Sequence, residues 1–330
     1  MRRREFMTLI GGAAVAGPIA ARAQQESGLR RLGVLMGPPA GDPFGQTYAA
    51  ALLQALGSAG WHEGGNLHVD WRWAGGDPAL YQSYAAELVA LSPDVIVANG
   101  SPAVAQLHRL TGSIPIVCAL VIDPVGLGFA DSLSHPGGNI TGFTFINPEM
   151  IGKWTGLLKD AVPTLDRAAL LYNPKINPWY AKFLQEISAA PHALAMEVVP
   201  TIIETIEDLQ ARIPALAGAA ATGLIIGPES FMIRHVHEVA ALAQANRLPG
   251  ISVYRQFAPE GGLMSYGPDI ADLFRHAAGY VDRILRGEKP ADLPLQQPTK
   301  FEYVINLKVA KLLGLNLSPS LIATADEVIE

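Results

Sequence analysis

Three carboxylates and one short turn carry most of the chemistry this chain could do. Asp42, Asp123 and Glu229 each follow an apolar run of strand character, where the loops of an open α/β sheet gather ligands. There they could serve as acid and base, or as contacts for a cation. The turn Asn99-Gly100-Ser101-Pro102-Ala103 ends one such run and opens a helical pattern, with Ser101 expected at the N-cap and Pro102 at the first helical position. Free N–H groups at that helix end attract a carboxylate or phosphate. Ile122-Asp123-Pro124-Val125 sets a carboxylate after the next strand, where it either pairs with an ammonium group or closes an Asx-type turn before Pro124. Asn173 opens a further strand-end loop that runs to Trp179. Phe44, Trp179, Tyr254 and Tyr266 lie in or beside such loops and could sandwich an apolar or planar ligand body.

Other site types find no support. The first turn, Gly33 to Pro39, lacks the G-x-G-x-x-G spacing that brings backbone close to a pyrophosphate. There is no G-x-x-x-x-G-K-[ST] phosphate loop, no H-E-x-x-H, no C-x-x-C and no G-x-S-x-G nucleophile elbow. His235 and His237 diverge by roughly 200° around a helix axis and do not converge on a metal. The single cysteine, Cys118, sits in the apolar run Ile116 to Val121 and reads as a buried, inert thiol. No cofactor, no metal and no catalytic residue are expected.

The elements that must position these residues alternate. Arg31 to Met36, Asn66 to Trp73, Asp94 to Ala98 and Pro115 to Val121 read as strands, with helical patterns over Thr47 to Ser58 and Pro78 to Leu91 between them. A second series follows: Arg167 to Tyr172, Ala195 to Ile203, Thr222 to Ile226 and Gly250 to Tyr254, separated by helices over Trp179 to Ala190, Ile206 to Ala217 and Phe231 to Asn246. Alternation of strand and helix implies parallel sheets, so the expected fold is α/β, with two doubly wound parallel-sheet lobes. Ile140 to Phe145, Leu263 to Tyr266 and Pro298 to Val304 fall outside either series and read as three hinge crossings. The expected first lobe is residues 29–141 plus 264–292, and the second is 142–263 plus 293–330.

The N-terminus is an address. Arg3-Arg4-Glu5-Phe6-Met7 is a twin-arginine pair, Leu9 to Ala20 an uncharged apolar run, and Ala21-Arg22-Ala23 a small-residue cleavage site. A membrane span needs ~20 apolar residues; this run is shorter and holds Gly11, Gly12, Gly17 and Pro18. Residues 1–23 are therefore expected to be a twin-arginine signal peptide cleaved near Ala23, with the mature protein in the periplasm. Removing them takes four arginines and one glutamate from the chain and moves the formal charge from −6 to −9. Nucleic acid is an improbable partner for so acidic a chain.

Certain stretches also resemble a known family. They are Ile114-Pro115-Ile116-Val117 with Asp123-Pro124-Val125, Pro136 to Gly142, Gly261 to Pro268, Leu293 to Phe301 and Ala325 to Glu330. In order and spacing they are similar to the TrpX-type substrate-binding proteins of ABC transporters, which have a periplasmic-binding-protein type I fold. The resemblance implies capture of a small solute, amino-acid-like and aromatic in the better-understood members, and delivery to a permease and its ATPase subunit. The family's Gly-Thr-Pro-Ala ligand turn matches Gly100-Ser101-Pro102-Ala103, so Ser101 would inherit the carboxylate contact. The loop Pro38 to Phe44 lacks the histidine that many relatives carry, which leaves the ligand's side chain open. Phe44, Asn99, Ser101, Ala103, Asp123, Asn173, Trp179, Glu229, Tyr254 and Tyr266 are thus the expected ligand contacts of a monomeric solute-binding component. An exported enzyme of the same fold, or a sensor presenting ligand to a membrane receptor, stands as the alternative.

Overall fold

A computed structural model describes residues 28–147, 149–176, 180, 184–185, 196–217 and 221–330. The expected signal peptide, most of the helix expected over Trp179 to Ala190, and Trp179 itself lie outside the described residues. The first lobe runs β1 (Arg30–Met36), α1 (Pro43–Ser58), β2 (Leu67–Trp73), α2 (Pro78–Ala90), β3 (Val95–Asn99), α3 (Gly100–Leu110), β4 (Ile116–Val121) and β5 (Ile140–Thr144). Its strands form one parallel sheet in the order β2-β1-β3-β4-β5. The central strands are almost wholly apolar because helices cover both faces, whereas the edge strand β2 carries His68, Asp70 and Arg72. Asp42 and Asp77 cap α1 and α2 by accepting from Gly45 and Ala79 N–H, and Pro43 and Pro78 follow at the first helical position.

The second lobe contains α4 (Met150–Ala161), β6 (Arg167–Tyr172), β7 (Glu197–Ile202), α5 (Ile206–Ala217), β8 (Thr222–Ile226), α6 (Ser230–Arg234), α7 (Val236–Ala245), β9 (Gly250–Ser252) and β10 (Met264–Pro268). Its sheet order is β12-β11-β10-β9-β8-β6-β7, closed by β11 (Phe301–Asn306) and β12 (Glu327–Ile329). Pro200 is accommodated in β7 because that strand is an edge.

Between β10 and β11 the chain visits the first lobe as α8 (Ile270–Leu285). This helix lies along α1 and over β4. It buries Leu273, Phe274, Ala277, Val281 and Ile284, with Phe274 stacked on Tyr48 at 5.6 Å. Each such side chain contributes about 1.5–3 kcal/mol on leaving water if it is large. The chain returns through Leu293 to Gln296, whose carbonyls accept from Thr141 Oγ1 at 2.7 Å and Thr144 N at 2.8 Å.

Two expectations need correction. The stretches read as linkers are sheet strands: β5 belongs to the first sheet, and β10 and β11 to the second. Residues 264–268 therefore sit in the second lobe and 293–296 against the first, so the crossings fall a few residues later than the expected boundaries. The second sheet is also not wholly parallel, since β10 and β11 run antiparallel. The chain leaves along β10 for the first lobe and comes back along β11 from it, so the two strands must point in opposite directions.

One glycine in the first crossing is required by geometry. Gly142 has φ +129°, and a Cβ there would lie 2.1 Å from the Cys118 carbonyl oxygen, where β4 bulges against β5.

Candidate functional site

The strand ends of both lobes face one another across a cavity of about 70 Å³. The first lobe supplies Gly37, Pro38, Tyr48, Tyr81, Asn99, Ser101, Pro102, Leu120 and Ile122; the second supplies Ile176, Pro228, Glu229, Ser230, Ile233 and Tyr254. An outer cavity of about 270 Å³ adjoins it and shares Tyr81, Ser101, Pro102 and Ile176.

Asn99 is the last residue of β3, and its side chain ties two strand-end loops together. Oδ1 accepts from Gly37 N at 3.2 Å. A Cβ at Gly37 would stand 2.7 Å from that oxygen and 2.9 Å from the Tyr81 hydroxyl, so only glycine permits the approach. The buried Nδ2 of Asn99 has no hydrogen-bond partner among the described residues. It is a free donor in the wall of the cavity.

Ser101 lies inside α3, not at its N-cap. The helix begins at Gly100, whose φ of +84° turns the chain from strand to helix, and Asn99 precedes it without a side-chain cap. The Ser101 hydroxyl oxygen accepts from Ile122 N at 3.1 Å, joining α3 to the end of β4. Its own O–H is left to donate toward the cavity that the residue lines.

Glu229, between β8 and α6, is 2% exposed. Oε2 accepts from Asn173 N at 2.9 Å, while Oε1 has no hydrogen-bond partner among the described residues. Burial pushes its carboxyl well above the usual carboxylate range, against the opposing pull of the Asn173 N–H. With no cation beside it among the described residues, burial favours the protonated carboxyl over an uncompensated charge. Tyr48 and Tyr81 reach the same cavity, and burial pushes both phenols up. Gln256 of the second lobe donates from Nε2 to the Tyr48 hydroxyl at 3.0 Å.

Of the expected contacts, Asn99, Ser101, Glu229 and Tyr254 come together in this wall. Others do not. Asp123 has φ +45° and accepts from Gly126 N at 2.8 Å through Oδ1, so its carboxylate closes an Asx-type turn outside the cavity lining. Ala103 is fully buried in the core between α3 and the first sheet. Phe44 packs against the main core on the opening turn of α1. Asn173 is buried one step behind the wall: it holds Glu229 and accepts from Lys175 N at 3.0 Å. Tyr266 stacks on Phe301 at 5.6 Å, with Lys153 over its ring, in a separate depression of the second lobe.

Sequence pattern does not single out Tyr48 and Tyr81, because each stands on a helix face at core spacing. Helical side chains lean toward the N-terminus, so a tyrosine early in a helix that follows a strand-end loop reaches back into the cleft. That position was the available signal. Phe145 and Ile270, at two crossings, carried none.

Comparison with known proteins agrees with this architecture. The family model described as ABC transporter substrate binding protein matches residues 44–329. A tyrosine-binding protein of Clostridioides difficile (strain R20291) is 27% identical over 266 residues, covering 80% of this chain and 75% of its own. The solved structure of a conserved domain protein from Vibrio cholerae is 26% identical, with a TM-score of 0.83 over 91% of this chain and 99% of that one. An ABC domain from Streptococcus pneumonia in complex with L-Trp is 23% identical, with a TM-score of 0.82 and the same coverage, 91% and 99%. The ligand-free, open structure of a substrate-binding protein with adhesive properties from Clostridium difficile is also 23% identical over 91% and 99%, with a TM-score of 0.67.

Proposed function

Because the chain belongs to the ABC transporter substrate-binding protein family, we propose that its cleft captures an aromatic amino acid as a zwitterion and hands it unaltered to a permease. Among the unmatched polar atoms lining one cavity, which also include Ser230 Oγ, two stand on opposite lobes and carry this reading: the donor Asn99 Nδ2 and the carboxyl oxygen Glu229 Oε1. A zwitterion is their complement. Its carboxylate takes the Asn99 amide, the Ser101 hydroxyl and the positive end of α3. Its ammonium takes Glu229, which then gives up its proton and forms a desolvated, charge-assisted pair. Tyr48, Tyr81, Phe145 and Tyr254 wall the head group from water, which strengthens the pairing.

Two further observations support the reading. Relatives are described as tyrosine-binding and as bound to L-Trp. At equal identity, the chain also overlays better on the L-Trp complex than on the open, ligand-free relative, with TM-scores of 0.82 and 0.67. Substrate-binding proteins of ABC transporters work outside the cytoplasm with a permease and ATPase. For this chain the reading includes twin-arginine export, cleavage near Ala23, residence in the periplasm and action as a monomer without catalysis.

Ligand that bridges both lobes stabilises the closed form, by about 2.7 kcal/mol at a hundredfold excess over Kd. Screening L-amino acids by melting shift, then recovering the bound compound by mass spectrometry, tests the reading. Tyrosine, phenylalanine or tryptophan should raise the melting temperature and be recovered intact. A chemically altered product, or stabilisation only by solutes without an amino group, overturns it.

A further inference from the structure

Resting on the amino-acid reading above, we infer that the outer cavity is a side-chain compartment selecting solutes whose large side chain ends in an anionic or strongly accepting group. Size decides where that side chain goes. A cavity of ~150 Å³ is the scale that accepts benzene. The inner compartment, at about 70 Å³, has less than half of that and suits only the charged head. The outer one, at about 270 Å³, has room for a ring with a substituent. The two meet at Ser101 and Pro102, where the head group would be held, so a side chain leaving the α-carbon passes directly outward.

The outer compartment is floored by one face of α3. Pro102, Ala105, Gln106 and Arg109 recur at helical spacing, and the aromatic lining is Tyr81 with Phe129, the latter held edge-on by His108 at 5.7 Å. Along this face the lining passes from apolar Pro102 and Ala105 to polar Gln106 and Arg109. Two cations line this compartment, Arg109 at the last turn of α3 and Lys175 beside Ile176. Lys175 Nζ is already matched by Glu204 Oε2 at 2.6 Å. Arg109 has no carboxylate partner among the described residues. Among the described residues one exposed guanidinium is therefore left without a carboxylate partner at the polar end of this face, and its planar fork matches a carboxylate bidentately.

The test compares L-phenylalanine with para-carboxy-L-phenylalanine by titration calorimetry on the mature protein. The carboxylated probe should bind roughly tenfold tighter or better, the scale of a hydrogen bond to a charged group. Arg109→Gln should collapse the ratio of the two affinities toward one, and Arg109→Lys should keep part of it. Ala105→Leu, which narrows the slot from its floor, should weaken the carboxylated probe by about tenfold. Equal affinity for the two probes on the wild type, or a ratio untouched by Arg109→Gln, overturns this inference alone. Failure of both probes and of every other amino acid to bind overturns the amino-acid reading and this inference with it.

Discussion

Gln256 and Tyr48 stand 208 residues apart in sequence, yet the Gln256 side-chain amide donates to the Tyr48 hydroxyl at 3.0 Å across the seam between the lobes. Both are buried. The bond exists only when the lobes meet, so it contributes to closure and not to the stability of either lobe.

Tyr48→Phe removes that bond and leaves the Gln256 amide buried without its partner, at a cost of about 1–3 kcal/mol to the closed form. Ligand affinity should fall roughly fivefold to a hundredfold, because closure and binding share one equilibrium. The melting temperature without ligand should change less than that measured with ligand. Calorimetric titration and melting of both forms check this; an unchanged affinity would mean that the lobes close without the seam.

Glu229 predicts a pH dependence of definite sign. Its folded-state carboxyl titrates well above the ordinary value, so above about pH 4.3 the unfolded chain sheds this proton while the folded one keeps it. Its contribution to ligand-free stability is therefore full at low pH and declines as pH rises through the folded value. Glu229→Gln should flatten that part of the stability profile. Ligand binding should run the other way: pairing with ammonium needs the carboxylate, so affinity should weaken on acidification and binding should release a proton. Calorimetry in buffers of different ionisation enthalpy measures the release, and no net proton exchange would exclude Glu229 as the ammonium contact.

Asp123→Asn should bind as wild type does, within about twofold, since the amide oxygen can still accept from Gly126 N and Asn tolerates the left-handed backbone. Ser101→Ala should behave otherwise. It strands the Ile122 N–H in a buried position and deletes a ligand donor, costing about 1–3 kcal/mol in stability and an affinity loss of roughly tenfold or more. Urea unfolding and titration of both variants decide the matter, and a loss confined to Asp123→Asn would reverse the assignment.

Gly142→Ala should destabilise the protein by about 3 kcal/mol or more, since the added Cβ meets the Cys118 backbone and the residue keeps φ +129°. Gly138→Ala, where a Cβ meets nothing within 4 Å, should stay within about 0.5 kcal/mol of wild type. Urea unfolding compares them directly. Similar losses would show that the β4 bulge yields to a side chain.

At the N-terminus, replacing Arg3 and Arg4 by lysine keeps charge but removes the guanidinium pair that a twin-arginine receptor reads. Precursor should accumulate in the cytoplasm, as seen by fractionation and blotting. Unchanged export would leave a general secretory signal as the better description.

The α/β class, the two-lobed plan and the strands of the two alternating series follow from local pattern alone. Short apolar runs such as Val95 to Ala98, alternating with helical patterns, fit strands covered on both faces. Asp42 and Asp77 with their following prolines announce helix starts wherever they occur. The sequence likewise brought Asn99, Ser101, Glu229 and Tyr254 into view, because strand-end loops in such sheets share one side. Only the tertiary structure decided which of those loop residues share a wall. Asp123 and Glu229 look alike as carboxylates after strands, yet a positive φ turns one back onto its own turn while burial and Asn173 hold the other against the cleft. Tyr48 and Tyr81 carry the pattern of core residues, and their role appears only when a second lobe closes over them. The same holds for β10 and β11, whose antiparallel pairing depends on an excursion through α8 that no window of sequence contains. Local periodicity reports the face on which a side chain stands, and the partner that covers that face is chosen by chain segments far away in sequence.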